Sequence, residues 1–282
     1  MKQQFIETHM RDIKFNNKLF KRVKRVLMKY FVYETNDGTD EDIKEINNES
    51  RIELLKLARK ANKYEKSAIE VIVSLISSST NNNLNRISEL HLSSSYIHTV
   101  ISPIFGSSDV IPHCSNLLPC ETSDTESKER PDYVCDKYAN HEYDHSTVYG
   151  EIKTNESIGG LNRDLYQLAY FTKNAIDTYN LGMCLSFQAV GTIVHFYSMT
   201  LQHESVYVLI DIATLKIPTQ RADLRNILLE LDTITQLAYL HDTLCTPIKT
   251  TIPHSPTISY ELFDSNTKQH KPKKHDIEHD EN

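Results

Sequence analysis

The chain predicts a mixed α/β fold, a central sheet flanked by helices with a helical extension at the N-terminus, and three observations carry that prediction. Two β-like runs, 133–135 and 147–153, bracket a polar, hairpin-like segment at 136–145. A helix-period stretch at 161–179 follows, and three further strand candidates come after it, at 183–190, 192–200 and 205–212. An amphipathic stretch at 219–244, with Leu224, Ile227, Leu228, Leu231, Ile234, Leu237 and Leu240 on one stripe, closes the order. Strands interleaved with helices in this way suit a layered α/β domain.

The N-terminal elements are read from periodicity. Residues 16–31 place Leu19, Val23, Val26, Leu27 and Tyr30 on one helical face and Lys18, Lys21, Arg22, Lys24, Arg25 and Lys29 around the rest, which makes a basic amphipathic helix. An acidic turn at 36–42 ends it. A second helix is expected over 50–76, with Ile52, Leu55, Ala58, Ile69, Ile72 and Val73 among its apolar positions, before a Ser/Asn-rich linker at 77–83. A third runs over 84–105 and stops near Pro103 and Gly106. Residues 106–129, rich in Ser, Pro, Thr and acid, read as a long loop. In the helix at 161–179, Leu161, Leu165, Leu168, Ala169, Ile176 and Tyr179 face the core, and Arg163, Gln167, Tyr170 and Lys173 lie on the other face. The boundaries that follow are 1–80 for the helical extension, 81–250 for the α/β domain and 251–282 for a tail, whose charged 265–282 end is expected to be disordered.

Composition narrows the function classes. With 39% hydrophobic and 24% charged residues over 282 positions, the chain can build a core. Its longest apolar run, 68–76, is interrupted by Glu70 and is well short of the roughly 20 residues that span a bilayer. The first residues are polar, so the expectation is an intracellular protein, nuclear or cytoplasmic, neither secreted nor membrane-bound. Five cysteines without a CxxC pair fit reduced thiols. His113, Cys114, Cys120, Cys135, His141 and His145 lack the close pairing of structural zinc ligands. A net charge of -7 excludes a uniformly basic coat, so a polyanionic partner needs a local positive patch. Lys21, Arg22, Lys24 and Arg25 on the first helix, with Arg163 and Lys173 further on, are the candidates for phosphate contacts.

The segment Arg130-Pro131-Asp132-Tyr133-Val134 and, further on, Tyr149-Gly150-Glu151-Ile152-Lys153-Thr154 carry the chemistry. Two carboxylates on adjacent strands can share a divalent cation. A lysine two residues after the second points to the same face, because strand side chains alternate. Asp132 and Glu151 offer hard oxygen ligands suited to Mg²⁺, with Mn²⁺ as a substitute. The Lys153 ammonium could position a water or neutralise charge on phosphoryl oxygens. An acid two residues before a lysine also occurs at Asp12-Ile13-Lys14, Asp42-Ile43-Lys44 and Glu126-Ser127-Lys128. Only Glu151-Ile152-Lys153 combines a strand-like run, an upstream Pro-Asp and a downstream helix.

These residues resemble the PD-(D/E)XK nuclease superfamily, with Pro131-Asp132 matching the first half of its motif and Glu151-Ile152-Lys153 the second, over residues 85–245. The resemblance implies a restriction-endonuclease-like core and a metal-dependent nuclease; nucleic acid is the expected partner, DNA ahead of RNA, with the choice between them left open by the sequence. It implies metal ligands at Asp132 and Glu151, the Ile152 carbonyl in the shell, and Glu89 on the preceding helix as a third carboxylate. Gln167, in Gln167-Leu168-Ala169-Tyr170-Phe171, is similar to the helix glutamine of RecB-like members and would orient Lys153 or a water by its amide. That signature places a tyrosine four residues after the glutamine, where this chain has Phe171. A catalytically inactive module of the same fold, binding nucleic acid or protein, is the alternative expectation.

Overall fold

The computed structural model describes residues 1–32, 40–78, 87–122, 129–154, 158–203 and 205–249. The expected acidic turn lies largely, and the Ser/Asn-rich linker mostly, outside these residues, and the C-terminal tail wholly so. The chain is α/β. Helices α1 (Lys2–His9), α2 (Asn17–Val32), α3 (Asp40–Ala58) and α4 (Lys63–Ser78) come first, and α5 (Glu89–Leu92) runs through a π-helical turn, Ser93–Ile97, into α6 (His98–Phe105). Six strands follow: β1 (Val110–Cys114), β2 (Tyr133–Ala139), β3 (Glu142–Lys153), β4 (Cys184–Val190), β5 (Ile193–His203) and β6 (Val206–Lys216). Helix α7 (Ile158–Tyr179) connects β3 to β4, and α8 (Leu231–Leu244) follows β6.

The sheet order is β1-β2-β3-β4-β5-β6, with β3 and β4 parallel and the other neighbours antiparallel. Parallel pairing requires a crossover, and α7 supplies it. One face of the sheet packs on α7 through Val134, Tyr149, Leu168, Phe171, Ala175, Ile176 and Cys184. The opposite face carries Tyr133, Ile152, Phe187 and Phe196 into a core shared with α2, α4, α6 and α8. The N-terminal helices thus bury their apolar stripes in the same core as the strands. On α2 the inward residues are Leu19, Val23, Val26, Leu27 and Tyr30, as the 3.6-residue period dictates, and the six basic side chains are exposed.

Three expectations change and one holds. The helix expected over 50–76 is two helices. Asn62 accepts from the N–H groups of Tyr64 (3.0 Å) and Glu65 (2.9 Å), while Glu65 accepts from the Asn62 N–H (3.1 Å), a reciprocal cap that ends one helix and starts the next. Ile52 and Leu55, expected among the apolar positions, are exposed, and α3 buries Leu54, Leu57 and Ala58. The long loop at 106–129 contains β1, an edge strand that tolerates Pro112 because one of its sides has no partner strand. The hairpin expected at 136–145 is present, closed by a two-residue turn at Asn140 and His141, both with positive φ (52° and 70°), as the right-handed twist of a hairpin favours. The first part of 219–244 is a 3-10 helix, Arg221–Glu230, although every apolar residue of the expected stripe is buried.

Candidate active site

Pairing between β2 and β3 ends at Tyr133 and Gly150, so β3 runs three residues further with only β4 beside it. Asp132, the residue just before β2, fills the place a paired strand would take. Its Oδ2 accepts from the Ile152 N–H at 2.8 Å, and its own carbonyl is fixed by the Ser115 N–H at 2.9 Å. A strand residue turns its N–H and carbonyl to the same edge, so the Ile152 carbonyl faces the Asp132 side as well. On the core face of β3, Gly150 leaves room for Phe187 of β4: a Cβ there would sit 2.2 Å from the Phe187 ring. The far end of the strand is anchored by the Gly191 N–H, which donates to the Lys153 carbonyl at 2.8 Å from a turn where Gly191 takes φ +56°.

Alternation then sets the side chains. Ile152 enters the core, and Tyr149, Glu151 and Lys153 face α7. The Lys153 Nζ lies 3.4 Å from Asp132 Oδ2 and 3.9 Å from Glu151 Oε2. Asp132 and Lys153 are partly exposed, whereas Glu151 lies at the bottom of the site, 3% exposed. Burial, with Asp132 and Asp164 adding to it and Lys153 opposing, raises the Glu151 carboxyl from 4.5 to about 10. It therefore holds a proton at neutral pH, within hydrogen-bonding reach of Asp132. Lys153 has its pKa raised: burial works against the ammonium, but Asp132, Asp164, Glu151 and Glu89 outweigh it.

Asp164, in the first turns of α7, is a candidate site residue that sequence reasoning missed. It is buried, its Oδ2 has no hydrogen-bond partner among the described residues, and burial raises its pKa against the pull of Lys153. The signal was available. Asp164 lies three residues after Leu161 and four before Leu168, which puts a carboxylate on the inward stripe of the helix after Lys153. Gln188 on β4, in register with Glu151, braces this helix by donating to the Leu161 carbonyl at 3.0 Å.

The remaining candidates lie elsewhere. Glu89 is exposed and reaches Lys153 only through its charge. The expected outward face of α7 holds for Arg163 but not for Gln167 and Lys173, both 7% exposed. Gln167 donates to Glu129, which also pairs with Arg163 at 2.7 Å, so the two α7 residues clasp the chain just before Arg130 instead of touching Lys153. Lys173 pairs with Asp177 at 2.8 Å, its ammonium 5.4 Å from the centre of the Tyr207 ring, and is turned away from solvent. On α2, Arg22, Arg25 and Lys29 line a groove with Lys56 of α3 and Lys60 just after it; Lys21 and Lys24 are exposed on the same helix.

Among the described residues, no three His, Cys, Asp or Glu side chains form a group that could hold a metal ion. The pair Asp132 and Glu151 still fits a hard divalent cation. Mg²⁺ is commonly held by one or two carboxylates and keeps several waters. Glu151 Oε1 is buried and without a hydrogen-bond partner among the described residues, an expensive state that a cation would relieve. Among the described residues, no helix is long and apolar enough to cross a membrane. Comparison with protein families, with curated proteins and with solved structures finds no match to this chain.

Proposed function

We propose that the chain is a metal-dependent nuclease of the PD-(D/E)XK type, with a restriction-endonuclease-like core, cleaving phosphodiester bonds in nucleic acid, DNA in preference to RNA. The observation that carries this reading is the buried Glu151 carboxyl, one oxygen unanswered, beside Asp132 and Lys153. Asp132, Glu151 and Asp164 with Glu89 nearby surround a single ammonium, an arrangement that repels a phosphate until positive charge is added. Asp132 and Glu151 would hold the ion, with the Ile152 carbonyl on the same side. A bound Mg²⁺ or Mn²⁺ supplies polarisation of a phosphoryl oxygen and a more acidic water.

The chain's own groups do the rest. Lys153 places a fixed positive charge where negative charge grows on the phosphoryl oxygens. Asp132 holds that ammonium in place and, through the Ile152 N–H, ties it to the end of β3. Arg163 and Gln167 steady the approach to Asp132 through Glu129. The basic face of α2 offers sites for backbone phosphates distant in sequence from the cleavage site. A second reading, a catalytically inactive module that binds nucleic acid or protein, is favoured by one observation: the Lys153 ammonium already serves as counter-charge to Asp132.

Labelled DNA and RNA incubated with Mg²⁺, Mn²⁺ or EDTA test the proposal. We expect cleavage with either ion, none with EDTA, and a loss on Lys153→Ala of about 10²-fold or more, the scale of removing one positioned charge or donor. Equal cleavage by wild type and Lys153→Ala, or cleavage in EDTA, contradicts it. Binding without cleavage under every metal condition supports the inactive module.

A further inference from the structure

Away from the carboxylates, a cavity of about 550 Å³ lies between α3, α4 and the helical stretch Glu89–Phe105. Its size is ordinary for a small-ligand site, about 300 to 1,000 Å³. Arg51 enters from α3, Ser74 from α4, and His91, Ser95, His98 and Ser102 from the opposite wall, which includes the π-helical turn. Such turns are frequent at functional sites. Among the described residues lining the cavity there is no carboxylate.

The arginine is the informative group. Its Nε is buried and has no hydrogen-bond partner among the described residues. A buried N–H left unanswered costs about 1–3 kcal/mol. The guanidinium is not tied down through Nε by the described residues, and the side chain lines the cavity wall. A guanidinium matches oxyanions with paired N–H bonds. The surrounding imidazoles and hydroxyls add more donors than the two oxygens of a carboxylate can use, while the terminal oxygens of a phosphate ester can accept them. His98 is held in place through Nδ1, 2.6 Å from the Tyr133 hydroxyl.

We propose that this cavity binds a small phosphate ester, with its phosphate on Arg51 and its hydroxyl-bearing body against Ser74, Ser95 and Ser102. The site stands apart from the carboxylate cluster and does not depend on the nuclease reading.

Calorimetry and thermal melting of the full chain with ribose 5-phosphate, inorganic phosphate and succinate test it. Wild type should bind both phosphates and melt at higher temperature in their presence. Arg51→Met should weaken phosphate binding at least tenfold, yet melt without ligand no lower than wild type, because the buried Nε gives up no partner. Ser102→Asp, which puts a negative charge on the wall, is a second variant expected to lose the phosphate-induced shift. Absence of phosphate binding by wild type overturns the proposal. So does binding unchanged in both variants, and so does succinate bound as tightly as ribose 5-phosphate.

Discussion

Glu121, half-buried, and Glu151, buried, are two carboxylates on the α7 side of the sheet, and the protein treats them differently. Glu121, in the 3-10 turn Cys120–Thr122, accepts from the hydroxyls of Tyr149 and Tyr179. Burial raises its pKa, and those hydroxyls pull it back. Glu151, two residues along β3 from Tyr149, faces other carboxylates and one shared ammonium, and keeps an oxygen with no partner among the described residues. The first environment is closed by donors from the chain itself; the second leaves an oxygen that no described residue answers. Burial alone therefore does not mark a functional carboxylate. The number of its oxygens that the fold leaves unanswered is the better guide.

Substitution by Met separates the two most sharply. Glu121→Met removes the acceptor of two tyrosine hydroxyls, one on the fully buried Tyr149, and should cost about 2 kcal/mol, lowering the melting temperature by roughly 4 °C. Glu151→Met removes an unanswered carboxyl and should leave stability equal or raised in metal-free buffer. Opposite signs in melting experiments support the contrast, and equal losses break it.

The pH dependence sharpens it. The carboxyl of Glu151 is raised from 4.5 to about 10 in the folded chain, so the fold binds its proton more tightly than the unfolded chain does. Its contribution is complete below about pH 4.5 and is lost as the pH rises toward 10. In metal-free buffer the wild type should therefore lose stability from pH 6 to pH 9, and Glu151→Met should show a flatter profile. Identical profiles would place the proton elsewhere.

The smallest effect concerns α2. Changing Lys21, Arg22, Lys24 and Arg25 together to Gln should weaken nucleic-acid binding and flatten the slope of log affinity against log salt by about 0.9 for each duplex phosphate that is no longer neutralised. An unchanged slope would make this face a solvated surface and nothing more.

What was legible in the sequence had local causes. The amphipathic stripe of α2 follows from the 3.6-residue period, and the face shared by Glu151 and Lys153 from strand alternation. The features that escaped depend on neighbours distant in sequence. Strand β1 was hidden because Pro112 and polar neighbours weaken a strand pattern that an edge position allows. Lys173 read as an outward charge because its helix position gave no sign of Asp177 and Tyr207 closing over it. Asp164 and the break at Asn62 were readable, one from the inward stripe of α7 and the other from an Asn-x-x-Glu cap. Both were masked by attention to apolar periodicity alone.

The most direct test of the central claim, that Asp132 and Glu151 form a site left open for a divalent cation, is calorimetric titration of the intact chain with Mn²⁺ at pH 8 in two buffers of different ionisation enthalpy. The account predicts binding accompanied by release of a proton, because Glu151 must give up the one it holds. It also predicts that Asp132→Asn and Glu151→Gln each weaken the affinity at least tenfold. Absence of binding, or binding that releases no proton and survives both substitutions, would contradict it.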